Sequence, residues 1–175
     1  NVLLAMSDMP KLYEQIFQYR FAESDGALAG HPLGNLLIAG ISEMQGSTYN
    51  AMQLLTKFFH TTGKIYPSSD NPLTLHAVFT DGHEVAGESK IAGYKGMIDH
   101  VYVTNSYNDD EPTASRKVVT AIMESDMIVL GPGSLFTSIL PNLMIPEIGQ
   151  ALCETQAQVT DVGNIMTQRG ATAFF

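Results

Sequence analysis

Apolar positions recur along the chain with two different periods, and the change falls near Lys64. Before it the spacing is helical. "NVLLAMSDMPKLYEQIFQYRF" predicts a helix in two pieces, with Ser7 or Asp8 capping the second and Pro10 in its first turn. Leu12, Ile16 and Tyr19 recur at helical spacing and Phe17 widens the stripe, so that side is expected to be buried. "GALAGHPLGNLLIAGISEM" enters through glycines and predicts an apolar helix from about Gly34. "STYNAMQLLTKFFH" predicts a helix capped by Ser47 or Thr48, with Ala51, Leu54, Leu55, Phe58 and Phe59 inward.

After Lys64 the period shortens to two. "LTLHAVFTDGHEVAGES" alternates in two arms around Asp81-Gly82, a dipeptide suited to the positive φ angles of a type I′ turn, and so predicts a hairpin. Ile98 to Thr104 predicts another strand. A helix is expected from Glu111 to Glu124, starting near Pro112, with Ala114, Val118, Ala121 and Ile122 inward. Met127 to Leu130 is short and wholly apolar, as a parallel strand buried on both faces would be. A helix from about Pro146 and a strand within "AQVTDVGNIMTQ" complete the alternation. The pattern predicts an α/β fold with a doubly wound, mostly parallel sheet, and a β-rich hairpin insertion over about 64–105.

Composition supports a well-covered sheet. Of 175 residues, 45% are apolar and only 15% charged, which favours a sheet between two helical layers in one domain spanning 1–175. The formal net charge of −9, with nine scattered Lys and Arg, excludes the basic face that a nucleic-acid polymer requires. No apolar run approaches the roughly 18 residues of a membrane span. No secretory leader is visible, and the single Cys153, expected in the core, suits a reducing cytoplasm. The apolar fraction permits a homo-oligomer interface without placing it.

Three polar boxes interrupt the apolar pattern. The first, Gly131-Pro132-Gly133-Ser134 with Thr137, Ser138 and Asn142, follows the strand at Met127 to Leu130. It would therefore lie at the carboxyl edge of the sheet, where ligands of open α/β folds bind. Glycine lets a ligand approach the backbone, and free amides at a following helix favour anions. A turn whose hydroxyls cap the helix is the competing reading. The second box is "GHPLGN", where Gly30, His31 and Asn35 could meet a ligand or merely hold a turn. The third is "GNIMTQRG", where Asn164, Thr167 and Gln168 offer neutral hydrogen-bonding groups and Arg169 a cation. No metal site of protein ligands and no catalytic triad can be assembled. The acidic run Asn108 to Glu111 reads as a solvated loop before a helix.

In order, "NVLLAMSD", "LAGHPLGNLLIAG", "GPGSLFTSILPNLMIPEI" and "NIMTQRG" make the chain resemble the bacterial gluconeogenesis-factor (YvcK-like) family of the CofD-like superfamily. That resemblance implies a three-layer α/β/α, Rossmann-like fold. It implies a cytoplasmic protein that binds UDP-sugars such as UDP-N-acetylglucosamine and supports cell shape and growth on gluconeogenic carbon sources. A regulatory partner in cell-wall growth is implied too. Residues Gly131 to Ser134, Thr137, Ser138 and Asn142 match the family segment beside the nucleotide phosphates. Gly30, His31 and Asn35 match a box near the same cleft, and Asn164, Thr167 and Gln168 match the third. The family's first strand and glycine-rich loop are expected before Asn1. The chain departs at Gly170-Ala171-Thr172, where the family shows Gly-Glu-Thr, and at "TDVGN".

Two functions follow as expectations. In one, the chain is a regulatory binder with no catalytic step and no cofactor beyond its UDP-sugar ligand. In the other, it is a transferase that moves a phospholactyl group from a guanosine diphosphate carrier to the deazaflavin Fo with magnesium.

Overall fold

The computed structural model describes residues 2–8 and 10–166. The chain forms two compact units, Asn1–Pro67 and Ser68–Phe175.

The first unit is helical. It contains α1 (Val2–Ala5), α2 (Pro10–Gln18), a 3₁₀ segment over Glu23–Leu28 broken at Asp25-Gly26, α3 (Leu33–Gln45) and α4 (Thr48–Phe58). Ser47 caps α4, its Oγ accepting from the Asn50 amide at 3.3 Å. The core gathers Leu3, Leu4, Phe17, Met52, Leu55 and Phe59. Phe59 is its hub: Tyr13 and Phe17 meet its ring edge-to-face at 4.5 and 4.9 Å. This arrangement corrects the expected stripe. α2 turns Tyr13 and Phe17 inward, and Leu12, Ile16 and Tyr19 are exposed. Neighbouring helical positions point about 100° apart, so the aromatic contacts with Phe59 rotate the aliphatic stripe outward. Leu54 and Phe58 of α4 are exposed for the same reason, while Ala51 and Leu55 are buried.

The second unit carries the sheets. β1 (Leu73–Phe79) lies between β2 (Glu84–Ala86) and β3 (Ile98–Asn105), antiparallel to both. The six-residue helix α5 (Glu88–Gly93) follows β2. Leu75, Ala77, Phe79, Ile91 and Val101 form the core, with Phe136, Leu140 and Met144 packed on it. The hairpin falls where Asp81-Gly82 places it, but the turn is not type I′. Only Gly82 has positive φ, at 84°, and its amide donates to the Phe79 carbonyl at 2.8 Å. Phe79 N–H in turn donates to His83 O at 2.8 Å, giving a bulged loop with glycine at the left-handed position. Asp81 keeps negative φ, and its carboxylate accepts from the His83 amide at 3.0 Å.

Downstream come α6 (Arg116–Met123), β4 (Met127–Leu130), a wide π-type turn over Leu135–Ile139, α7 (Leu140–Leu143), α8 (Pro146–Glu154) and β5 (Gln158–Asp161). β4 and β5 run parallel in register from Met127↔Gln158 to Leu130↔Asp161, joined by the α7–α8 crossover. The fold is α/β, as the alternation of periods predicts. Its balance is notable: among the described residues one pairing is parallel and two, in the hairpin insertion, are antiparallel.

Three local expectations are corrected. β4 is one-sided, with Met127 and Val129 exposed and Ile128 and Leu130 half-buried. α6 begins at Arg116 because the Ala114 amide donates to Glu147 Oε2 of α8 at 3.1 Å, holding the preceding residues out of the helix. Cys153 lies on the exposed side of α8.

Candidate functional site

The loop after β4 is built by one hydroxyl and one carbonyl of Ser134. Ser134 Oγ accepts from the Thr137 amide at 3.4 Å. Ser134 O accepts from both Ser138 and Ile139 amides, at 2.8 and 3.1 Å, which opens the following turn to π width. Phe136 and Leu140 then anchor the segment on the antiparallel sheet. Capping by Ser134, one of the two sequence readings of this loop, is thus real. It leaves other groups open: among the described residues, the amides of Gly133 and Ser134 have no acceptor. From Gly131 to Asn142 the segment carries no charged side chain. An anion here would be met by backbone N–H groups at the carboxyl end of a parallel strand.

Two other predicted residues join this loop. Asn164 lies just beyond β5, and its Nδ2 donates to Gly133 O at 2.5 Å. Asn142 is fixed from two sides: its Nδ2 donates to Ser138 O at 2.7 Å, and its Oδ1 accepts from Ser68 Oγ. Gly131, Pro132 and Ser138 are exposed along the loop. Thr167 and Gln168, with Arg169 and the Gly170-Ala171-Thr172 departure, lie outside the described residues.

The second box belongs to the first unit. Gly30, at φ 73°, donates its amide to Phe21 O at 3.0 Å, and His31 donates to Leu28 O at 3.0 Å. The His31 ring and Asn35 are exposed. Gly34 has a packing role: a Cβ there would fall 2.4 Å from Phe17 Cδ1 and 3.0 Å from Phe17 O. Asn35 lines a cleft of about 440 Å³ with Gln18, Arg20 and Pro32 above Leu4 and Phe17. Arg20 escaped the sequence reading. It pairs with Pro32 in an isolated antiparallel bridge and donates from Nη1 to Gly30 O at 2.9 Å. Its one signal in the sequence is its place between two aromatic residues, Tyr19 and Phe21, just past α2.

A third polar group sits on the outer face of the antiparallel sheet. His76 Nδ1 is 3.0 Å from Glu84 Oε1, and His76 Nε2 is 3.0 Å from Thr104 Oγ1. Tyr102 stacks on His76 at 4.6 Å and donates to Glu84 at 2.5 Å. The Tyr102 and His76 hydrogen bonds hold the Glu84 carboxyl below its usual range, and Glu84 pushes the Tyr102 phenol up. Both ring nitrogens of His76 are engaged, so this cluster braces the sheet. Among the described residues no three His, Cys, Asp or Glu side chains converge as a cation site.

The whole chain, residues 1–175, matches the family described as 2-phospho-L-lactate transferase CofD. The chain belongs to the CofD family. Among relatives of this CofD-family chain, a Streptococcus pyogenes serotype M3 protein named "Putative gluconeogenesis factor" is 79% identical over the full 175 residues. A Streptococcus pneumoniae serotype 4 protein of the same name is 75% identical, and the Bacillus subtilis "Gluconeogenesis factor" 39%. The chain covers 54% of each of these, so it spans about half the length of the curated relatives it matches. A crystal structure of a Bacillus halodurans protein of the UPF0052 family superposes with TM-score 0.88 at 38% identity. That likeness covers 99% of this chain and 55% of the other. Among the described residues no helix is long and apolar enough to cross a membrane.

Proposed function

We propose that this CofD-family chain is the ligand-binding part of a gluconeogenesis factor that binds a nucleotide-sugar of the UDP-N-acetylglucosamine kind and acts by regulation. The observation that carries this reading is the pair of amides at Gly133 and Ser134, without an acceptor among the described residues, beyond the parallel strand β4. They suit a diphosphate without a basic cluster, which matches a chain of net charge −9. Asn164 supports the loop through the Gly133 carbonyl, leaving the amide side to the ligand. The names of the relatives favour this branch. In the cell, the cytoplasmic protein would report precursor supply to cell-wall growth through a protein partner.

The family's transferase description favours a second reading, phospholactyl transfer from a guanosine diphosphate carrier to Fo. Among the described residues no three His, Cys, Asp or Glu side chains converge, so magnesium would have to be held largely by the diphosphate itself. Calorimetric titration of the full chain with UDP-N-acetylglucosamine, beside an assay with the guanosine diphosphate carrier, Fo and magnesium, separates the two. Saturable UDP-sugar binding without turnover supports the first reading. Transfer to Fo overturns it.

A further inference from the structure

The second unit contains a groove of about 400 Å³ that the sequence boxes only touch. Its walls include Thr137, Asn142, Ser68, Ser69 and Asn71, with Glu88 at the start of α5, and Ser68 and Asn142 meet through their side chains. Leu75, Val103 and Ile145 supply apolar surface within the groove. No Lys, Arg or His lines it.

The hydrogen-bonding capacity of these walls is uneven. Asn142 is already oriented by Ser138 and Ser68, and Ser69 Oγ accepts from the Asn71 amide at 3.2 Å. That leaves the Ser69 O–H as a donor. Among the described residues the Asn71 side-chain amide has no partner, and neither does the Glu88 carboxylate. A donor, a mixed donor–acceptor and an anionic acceptor above an apolar floor suit vicinal hydroxyls on a ring with an apolar face. They do not suit a phosphate, because Glu88 would repel it and no cation would offset the repulsion.

We infer that this groove binds a neutral, hydroxyl-bearing ring of the pentose or hexose kind, and that Ser69, Asn71 and Glu88 read its hydroxyls. The assignment rests on the nucleotide-sugar reading and adds to it the place of the sugar. Thr137 joins the two parts: it lines the groove, and its amide secures Ser134 in the phosphate-seat loop.

The test uses the full chain and two nucleotides, UDP and UDP-N-acetylglucosamine. The double variant Ser69→Ala/Asn71→Ala removes side-chain atoms at half-buried and exposed positions, so its melting temperature is expected to fall only by the loss of the exposed Ser69 Oγ bond to the Asn71 amide. It should weaken UDP-N-acetylglucosamine about tenfold or more and leave UDP affinity unchanged. Glu88→Gln should lose less than Glu88→Ala. Unchanged affinity of the double variant for the sugar nucleotide overturns the groove and leaves the nucleotide-sugar reading standing. If the wild-type chain binds neither nucleotide, that reading falls, and amide NMR with millimolar N-acetylglucosamine decides the groove. Shifts at Ser68 to Asn71 and Asn142 that vanish in the double variant uphold it; no shifts overturn it.

Discussion

The Asn164 side-chain amide donates to the Gly133 carbonyl at 2.5 Å, across 31 residues of chain. The bond joins the loops that follow β4 and β5, so the two adjacent parallel strands bring Gly133 and Asn164 to one edge. It also fixes which face of the Gly133 peptide meets protein. Asn164→Ala should free that peptide to rotate. Because the bond is exposed, the expected loss of stability is small, about 0.5–1 kcal/mol. UDP-N-acetylglucosamine affinity should fall more than the melting temperature suggests. Asn164→Asp, which sets a carboxylate against a carbonyl, should be worse than alanine in both measurements.

Gly133 itself tests the amide seat. A Cβ there would rest 3.4 Å from Ser138 Cβ and 3.5 Å from Ile139 Cδ1, ordinary contact distances. Gly133→Ala should therefore change stability by about 0.5 kcal/mol or less. Gly133→Val adds bulk beside the open amides and should abolish diphosphate binding while the chain still melts cooperatively. Calorimetry on the two variants checks this, and wild-type affinity in Gly133→Val removes the loop from the site.

Gly34 carries a different constraint. A methyl group there would meet the Phe17 ring at 2.4 Å and the Phe17 carbonyl at 3.0 Å, and only the ring can move away. Gly34→Ala is expected to destabilise the chain by about 1–3 kcal/mol through overpacking. Adding Phe17→Leu should recover part of that loss, and a double-mutant cycle in denaturant measures the coupling.

These cases show what the sequence makes legible. The GPGS box could be placed because an apolar run of strand length ends in it, and the hairpin because Asp81-Gly82 splits an alternating stretch. Element type follows from period. Side-chain direction does not: Leu12 and Ile16 keep perfect helical spacing yet face outward, because Tyr13 and Phe17 pack on Phe59, a partner some forty residues on. The groove walls were invisible for a related reason. Ser68 to Asn71 reads as an ordinary polar loop, and only the folded chain sets it beside Asn142. Arg20 likewise gains meaning only through its bridge to Pro32.

The hairpin tip predicts a pH dependence. Asp81 accepts from the His83 amide and from Tyr94 OH at 2.8 Å, and these bonds lower its carboxyl below the usual range. A depressed folded pKa gives stability that is fully present above the unfolded value, about 3.9, and is lost as pH falls through the folded one. The same bond raises the Tyr94 phenol, with Asp81 as the cause. A raised tyrosine gives stability present below about pH 10 and lost as pH rises through its folded value. Tyr94→Phe should therefore flatten both the acid and alkaline limbs of a melting-temperature profile, and Asp81→Asn the acid limb most. A profile unchanged at both ends in Tyr94→Phe would show that the bond contributes nothing.

Arg20 gives the last prediction. Its Nη1 bond to Gly30 O and its bridge to Pro32 hold the "GHPLGN" entry against the end of α2. A lysine keeps the charge but not the planar fork that fits a backbone carbonyl while leaving other donors free. Arg20→Lys should therefore speed hydrogen exchange at Gly30 and His31, whose amides donate to Phe21 O and Leu28 O. Arg20→Met should do the same and also remove the cation from the cleft shared with Asn35. If that cation serves an anionic ligand, Arg20→Met loses affinity and the salt dependence of binding together, whereas Arg20→Lys loses affinity and keeps the salt dependence. Equal behaviour of the two variants in exchange and in binding would reduce Arg20 to a brace for the loop.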